Sequence, residues 1–274
     1  MVRRDDPPVV MAIVNATPDS FSGDGRTDDA ASLAVRARAD VEAGAAIVDV
    51  GGESTRPDAR PVPLAVELER VLPVLRSLAD TVDAVISIDT MKAAVAEAAL
   101  GAGATIVNDV SGLRDAGLAA VAARHGAWLV LTHNGHTVRE RGIAESDDPV
   151  ENVVREIRRL AELAQHAGVA ESRLIADPGL GFGKPASASL ALVARSAELH
   201  ERLAPFPLLI GPSRKSFIGR TLDLPVEDRL ESTLACAALA AFAGTEIIRV
   251  HDVGPAVRAV RMAIALRAAR AASA

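Results

Sequence analysis

Asp89, Asn108 and Asp177 each end a short apolar run, so each projects a carboxylate or amide oxygen from a dry wall. Three such acceptors facing one space suit a flat heterocycle that shows several N–H donors along one edge, since water cannot replace a paired donor set there. Asp109, next to Asn108, fits an ordinary helix cap better. Arg249 and His251 flank Val250, and residues i and i+2 of a strand point the same way. A guanidinium and an imidazole reaching one place together form a clamp for an oxyanion or a phosphate; a salt bridge to a neighbouring acid is the competing reading for Arg249. Asn15 and Thr17 offer neutral oxygens to a Mg²⁺–phosphate unit. Arg56 and the Arg214-Lys215 pair add positive charge, while Gly51-Gly52 and Gly179, Gly181 and Gly183 let backbone approach a ligand closely.

The chain writes its positive charge almost wholly as Arg. Its only lysines are Lys92, Lys184 and Lys215, all beside these polar clusters. A compact, flexible ammonium differs from a planar guanidinium, and Lys215 is the one read as functional. His133-x-x-His136 has no further His or Cys at ligand spacing, so His133 is read as pocket-lining and His136 as a loop residue. His125, His166 and His200 fall in or at the ends of helical stretches and are read as solvated. Cys236 lies in an apolar helical run, where a buried thiol is expected.

These residues need a frame that gathers them. The 274 residues show eight apolar runs alternating with eight helical stretches. The strands are expected at 9–14, 46–50, 84–88, 105–107, 128–131, 173–176, 208–210 and 246–250. The helices are expected at 30–43, 63–78, 92–100, 115–124, 149–167, 189–202, 227–243 and 254–269. Gly44, Gly126, Gly168 and Gly244 stand where helices should stop. Continuous rather than alternating apolar runs indicate a parallel sheet covered by helices. The fold class is therefore α/β, a single (β/α)8 TIM barrel over 1–274, with 1–8 and 270–274 expected to fray. An open doubly wound sheet is the alternative, but no glycine-rich dinucleotide fingerprint follows the first strand. In such a barrel the carboxyl ends of all eight strands meet at one mouth, which carries the active site. The long connections after strands one and two, 17–29 and 51–63, are expected to be mobile, and 132–148 is a third long connection.

Composition bounds the rest. Hydrophobic residues make up 49% but aromatics only 2%, so the core must be built from Ala, Val, Leu and Ile. A net charge of −6 without a basic run argues against nucleic acid or an acidic membrane surface as partner. No apolar run approaches spanning length and no signal core opens the chain, so a soluble cytoplasmic protein is expected.

Five motifs then occur in order: residues 11–22 (MAIVNATPDSFS), 49–57 (DVGGESTRP), 177–184 (DPGLGFGK), 211–216 (GPSRKS) and 249–253 (RVHDV). Together they strongly resemble dihydropteroate synthases, over about residues 9 to 262. The resemblance implies condensation of 6-hydroxymethyl-7,8-dihydropterin diphosphate with 4-aminobenzoate, giving 7,8-dihydropteroate and pyrophosphate for folate synthesis. It implies a pterin ring held by Asp89, Asn108, Asp177 and Lys215. The diphosphate, with Mg²⁺, falls near Asn15, Arg56, Arg249 and His251, Asn15 being the metal ligand. Thr55, Pro57, Phe182 and Ser216 would line the aminobenzoate site. The implied mechanism is dissociative, with Asp89, Asp177, Lys215, Arg249 and His251 as the catalytic set. The chain departs from the family pattern at Gly23-Asp24, Asp58 and Thr132. A pterin-dependent methyltransferase of cobalamin and a pterin-binding paralogue without turnover are the alternatives. The Ala-rich helices at 227–243 and 254–269 are expected to pack a second copy in a homodimer.

Overall fold

A computed structural model describes residues 2–17, 29–54 and 60–272. Along the chain run β1 (Val9–Asn15), α1 (Ala30–Glu42), β2 (Ala45–Gly51), α2 (Leu64–Ala79), β3 (Val85–Asp89), α3 (Ala93–Gly101) and β4 (Ile106–Asp109). Next come α4 (Gly117–Arg124), β5 (Trp128–Thr132), α5 (Gly135–Glu140), α6 (Pro149–His166), β6 (Leu174–Asp177), α7 (Ala186–Ala194) and α8 (Ser196–Arg202). The last are β7 (Leu209–Ile210), α9 (Ser216–Leu222), α10 (Leu230–Ala243), β8 (Ile247–Val250) and α11 (Val253–Ala271). All strand pairs are parallel, in the order β6-β5-β4-β3-β2-β1-β8-β7. A bridge between Ala176 and Leu208 brings β7 against β6 and rounds the sheet into the expected eight-stranded barrel.

Period-two alternation builds the interior. One face of the strands packs Met11, Ile47, Ile106, Trp128, Val130, Ile175, Leu209 and Ile247 into an apolar plug inside the ring. The opposite face, with Ala12, Val48, Ile88, Val107, Leu129 and Ile248, packs under the helices. One step up the inner face the residues turn polar: Ile47 leads to Asp49, Ile106 to Asn108, Val130 to Thr132, Ile175 to Asp177 and Ile247 to Arg249. The same alternation that fills the barrel thus delivers its polar layer to the mouth.

Helix α6 shows how the outer ring is specified. Asp148 caps it, its side chain accepting from Val150 N–H at 3.0 Å, and Pro149 opens it. Val150, Val153, Ile157, Leu160, Ala161 and Ala164 form its buried face. Truncating a fully buried Leu such as Leu160 to Ala would cost about 2–5 kcal/mol.

The expected elements recur with small shifts, and three local differences have plain causes. The 132–148 connection contains α5, because Asn134 Oδ1 accepts from the N–H groups of His136 and Thr137 and caps a helical turn. The stretch expected as one helix over 189–202 starts at Ala186 and breaks at Arg195 into α7 and α8. A further short helix, α9, follows Lys215. Of the connections expected to be mobile, 17–29 and 51–63, residues 18–28 and 55–59 lie outside the described residues.

The amino-terminal end of the barrel closes on a second buried acid. Glu246 is fully buried and accepts from Asp5 N–H, His200 Nε2 and Leu208 N–H, each at 2.8 Å. Arg4 reaches His200 Nδ1 at 3.3 Å and the Phe206 carbonyl, and Val2 is buried. The opening residues, expected to fray, are therefore held against the barrel floor, and α11 runs on to Ala271. His200, expected to be solvated, is half-buried in this cluster.

Candidate active site

At the mouth the strand register sets the side chains side by side. Gly51 pairs with Asp89, Asp89 with Asn108, and Thr132 with Asp177. Asp49, one step below, is fully buried between Asn108 Nδ2 at 2.8 Å and Arg249 Nε at 2.7 Å. A second Arg249 nitrogen donates to Asp89 Oδ2 at 2.6 Å. The salt-bridge reading of Arg249 is thus realised twice, and the guanidinium spans two acids rather than standing ready for an anion alone. Burial by itself would lower the Arg249 pKa, but Asp49 and Asp89 outweigh it and raise it. Burial pushes the Asp89 carboxyl up, with Asp49, Asp109 and Glu67 acting in the same sense against Arg249.

Asp177 is buried, and its Oδ1 accepts from Gly179 N–H at 2.7 Å. Burial raises its pKa, opposed by Lys215. Lys215 donates to the Leu180 carbonyl, and its Nζ lies 4.7 Å from the centre of the Phe182 ring. Loss of hydration lowers its ammonium to about 8, with Asp177 opposing the fall. The turn between them depends on glycine. Gly179 has φ of +64° and Gly183 +63°, and a Cβ at either would strike backbone of the 133–136 segment.

His251 sits beside Ser213. Its N–H donates to Ser213 Oγ at 3.1 Å, and Nδ1 faces the same oxygen at 2.9 Å. With that hydroxyl proton given to Nδ1, the neutral ring carries its own proton on Nε2. Asn15, at the end of β1, pairs with Gly51 and is half-buried. Ser216 is exposed at the first position of α9. Thr55, Arg56 and Pro57 lie outside the described residues, as do Asp24 and Asp58.

Several neighbours take other roles than sequence suggested. Arg214 is held by Asp252 through bonds of 2.9 and 2.6 Å, so its charge is matched by a neighbouring acid. Asp109 caps the turn after β4, bonding Ser111 and Leu113, and is not a helix cap. His133 is buried, neither ring nitrogen has a partner, and loss of hydration lowers its pKa to about 3. It is a neutral wall residue; His136 is exposed at the start of α5. Cys236 is only half-buried.

From sequence, Asp49 and Ser213 stand in motifs without a role of their own, and Glu67 reads with Glu69 and Arg70 as a solvated helix face, which the burial of Glu67 corrects. Glu67, fully buried on α2, accepts Thr90 Oγ1 at 2.7 Å and Lys92 Nζ, and so anchors the residue after Asp89. The available signal was an acid inside an otherwise apolar strand and another on the buried face of a helix. Among the described residues, one trio of acid and imidazole groups is close enough to hold a metal: Asp5, His200 and Glu246, at the far end of the barrel.

Residues 11–251 match the model of a family described as pterin binding enzyme. The dihydropteroate synthase of Escherichia coli K12 is 41% identical over 266 residues, which cover 96% of this chain and 93% of that protein. The chain belongs to the dihydropteroate synthase family. A probable bifunctional folylpolyglutamate synthase/dihydropteroate synthase of Haloferax volcanii is 44% identical over 96% of this chain, which spans 31% of that longer protein. A solved structure of the Xanthomonas albilineans dihydropteroate synthase in complex with 7,8-dihydropteroate superposes with a TM-score of 0.85 at 36% identity, covering 96% of this chain and 95% of the other. The barrel and the order of its motifs therefore belong to this family along nearly the whole chain.

Proposed function

We propose that the mouth carries out dihydropteroate synthesis by a dissociative route, on the residues just described. The reaction joins 6-hydroxymethyl-7,8-dihydropterin diphosphate to 4-aminobenzoate and releases pyrophosphate. The observation that carries the assignment of roles is one buried layer holding Asp89, Asn108 and Asp177 beside Lys215, with Asn108 Oδ1 lacking a partner among the described residues. The pterin's N–H edge fits these oxygens, and the Lys215 ammonium fits a ring acceptor.

Arg249 lies in this layer on β8 and His251 follows the strand's last residue, Val250; a diphosphate joined to the pterin methylene would lie beside them. Breaking the methylene–oxygen bond sends its electron pair to the diphosphate, whose charge these donors, with Arg56, would stabilise. The cationic methylene left behind gains from Asp89 and Asp177, fixed in a dry site before the reaction begins. The aryl amine then forms the new C–N bond and gives its surplus proton to solvent. Phe182 and Ser216 would border the space for its ring, and the resemblance assigns Thr55 and Pro57 to the same site. Each carboxylate must be ionised for this role; burial raises the pKa of both, and Arg249 opposes that rise at Asp89 as Lys215 does at Asp177.

Mg²⁺ is proposed with the diphosphate. Asn15 would supply one hard neutral oxygen, and diphosphate oxygens and water would supply the others. Bound there, the ion would neutralise part of the leaving group's charge. A homodimer is proposed through α10 and α11, where Leu239, Met262 and Leu266 stay 59%, 61% and 55% exposed. No described helix is long and apolar enough to cross a membrane; the cytoplasmic location expected from the sequence is kept as a proposal.

The test is pyrophosphate release from dihydropterin diphosphate and Mg²⁺, with and without 4-aminobenzoate. Release that rises with the amine and yields dihydropteroate is expected. Pterin binding with no amine-dependent release would favour the paralogue without turnover.

A further inference from the structure

The Lys184 ammonium forms no hydrogen bond or ion pair with an acid among the described residues. Lys92 bridges Glu53 and Glu67, and Lys215 faces Asp177. Lys184 Nζ instead donates to three main-chain carbonyls: His133 at 2.8 Å, Gly179 at 2.9 Å and Phe182 at 3.4 Å. These come from two different loops, one after β5 and one after β6. A half-buried ammonium that meets only carbonyls is costly to keep, and a side chain of similar length without charge would fill the same space.

What it holds is the turn on which the catalytic groups rest. Gly179 N–H fixes Asp177 Oδ1, the Leu180 carbonyl receives Lys215 Nζ, and the Phe182 ring lies under that same nitrogen. Lys184 ties the carbonyls on either side of Leu180, at Gly179 and Phe182, to the end of β5. We propose that Lys184 is a positioning residue that sets the 179–183 turn, and through it the placement of Lys215 and Phe182 for the reaction. This rests on the proposed role of Lys215 at the pterin.

The three lysines make a direct test possible, because protein labelled with ¹³Cε-lysine gives one signal each. Loss of hydration pushes Lys184 down to about 7, with Asp177 and Glu145 facing it as acids and Lys215 and Arg139 as cations. Lys215 is lowered to about 8. Lys92 loses hydration too, but its bonds to Glu53 and Glu67 raise it above the ordinary range. The signal missing from Lys184→Met identifies Lys184, and of the remaining two the one that titrates lower is Lys215, because Lys92 is raised.

In Lys184→Met the Lys215 signal should shift or broaden and its midpoint should move, while Lys92 stays in place. In the same variant kcat/KM for the pterin diphosphate should fall about tenfold to a hundredfold, as for a displaced catalytic group. An unmoved Lys215 signal overturns the proposal, and so does movement of both remaining signals together, which would mean general loosening. If Lys184→Met does not fold, Lys184→Arg retains the charge but not the three-carbonyl geometry. It should move Lys215 by less, and an unmoved signal there is equally fatal. Because the signals are read without ligand, a displaced Lys215 in a protein that makes no dihydropteroate would leave the clamp standing and remove only its link to turnover.

Discussion

The two ends of the barrel each bury a carboxylate completely, and they treat it in opposite ways. At the floor, Glu246 has three donors on its two oxygens, and His200 and Arg4 complete a closed set. At the mouth, Asp49 uses one oxygen for both Asn108 and Arg249, and neither its Oδ1 nor that of Asn108 has a partner among the described residues. Buried polar atoms are nearly always bonded, so the floor looks optimised for stability and the mouth for something the protein alone does not supply. The pKa values agree: Asp89, Asp177, Lys215 and Arg249 are all displaced at the mouth. Such displacement gathers where charge is needed for chemistry.

The comparison breaks most visibly at Arg249. Arg249→Met should abolish turnover and, by leaving Asp49 and Asp89 without their cation, destabilise the fold by about 3–5 kcal/mol. Urea unfolding beside a turnover assay checks both, and unchanged stability would mean the two bridges carry no weight. At the floor, Glu246→Gln should cost about 1–3 kcal/mol by stranding a buried donor, yet leave kcat/KM within twofold. A matching loss of activity would erase the distinction between the ends.

pH separates them more gently. Lys215 loses its proton near 8 in the folded protein and near 10.5 when unfolded. Between those values the unfolded state binds more protons, so this group makes stability rise with pH while activity that needs the ammonium falls. A kcat/KM profile that stays flat to pH 10, set against unfolding curves at the same pH values, would remove Lys215 from the reaction.

Much of this was legible in the chain. The strand ends Asp89, Asn108, Asp177, Arg249 and His251 could be placed at one mouth because apolar runs and glycine stops are local signals. Asp49 was not, because its partner Arg249 lies 200 positions away across the ring. His200 was misread for the same reason, since its spacing suits a solvated helix end and only the closed barrel brings Glu246 against it. The helix α5 was missed although its cap, Asn134, was visible; Asn-Gly reads as a turn unless the following bonds are known. Lys184 carried no assigned role, because a side chain that bonds only main chain leaves no complementary residue to find.

The central claim is that the mouth's unmatched acceptors are completed by a pterin. Titration calorimetry of dihydropterin diphosphate with Mg²⁺ into wild type and Asp177→Ala tests it most directly. The variant should bind more weakly by about 1–3 kcal/mol or more, because ligand donors are left unpaired in a dry site. Near-equal affinity in a folded variant would contradict the assignment of the mouth.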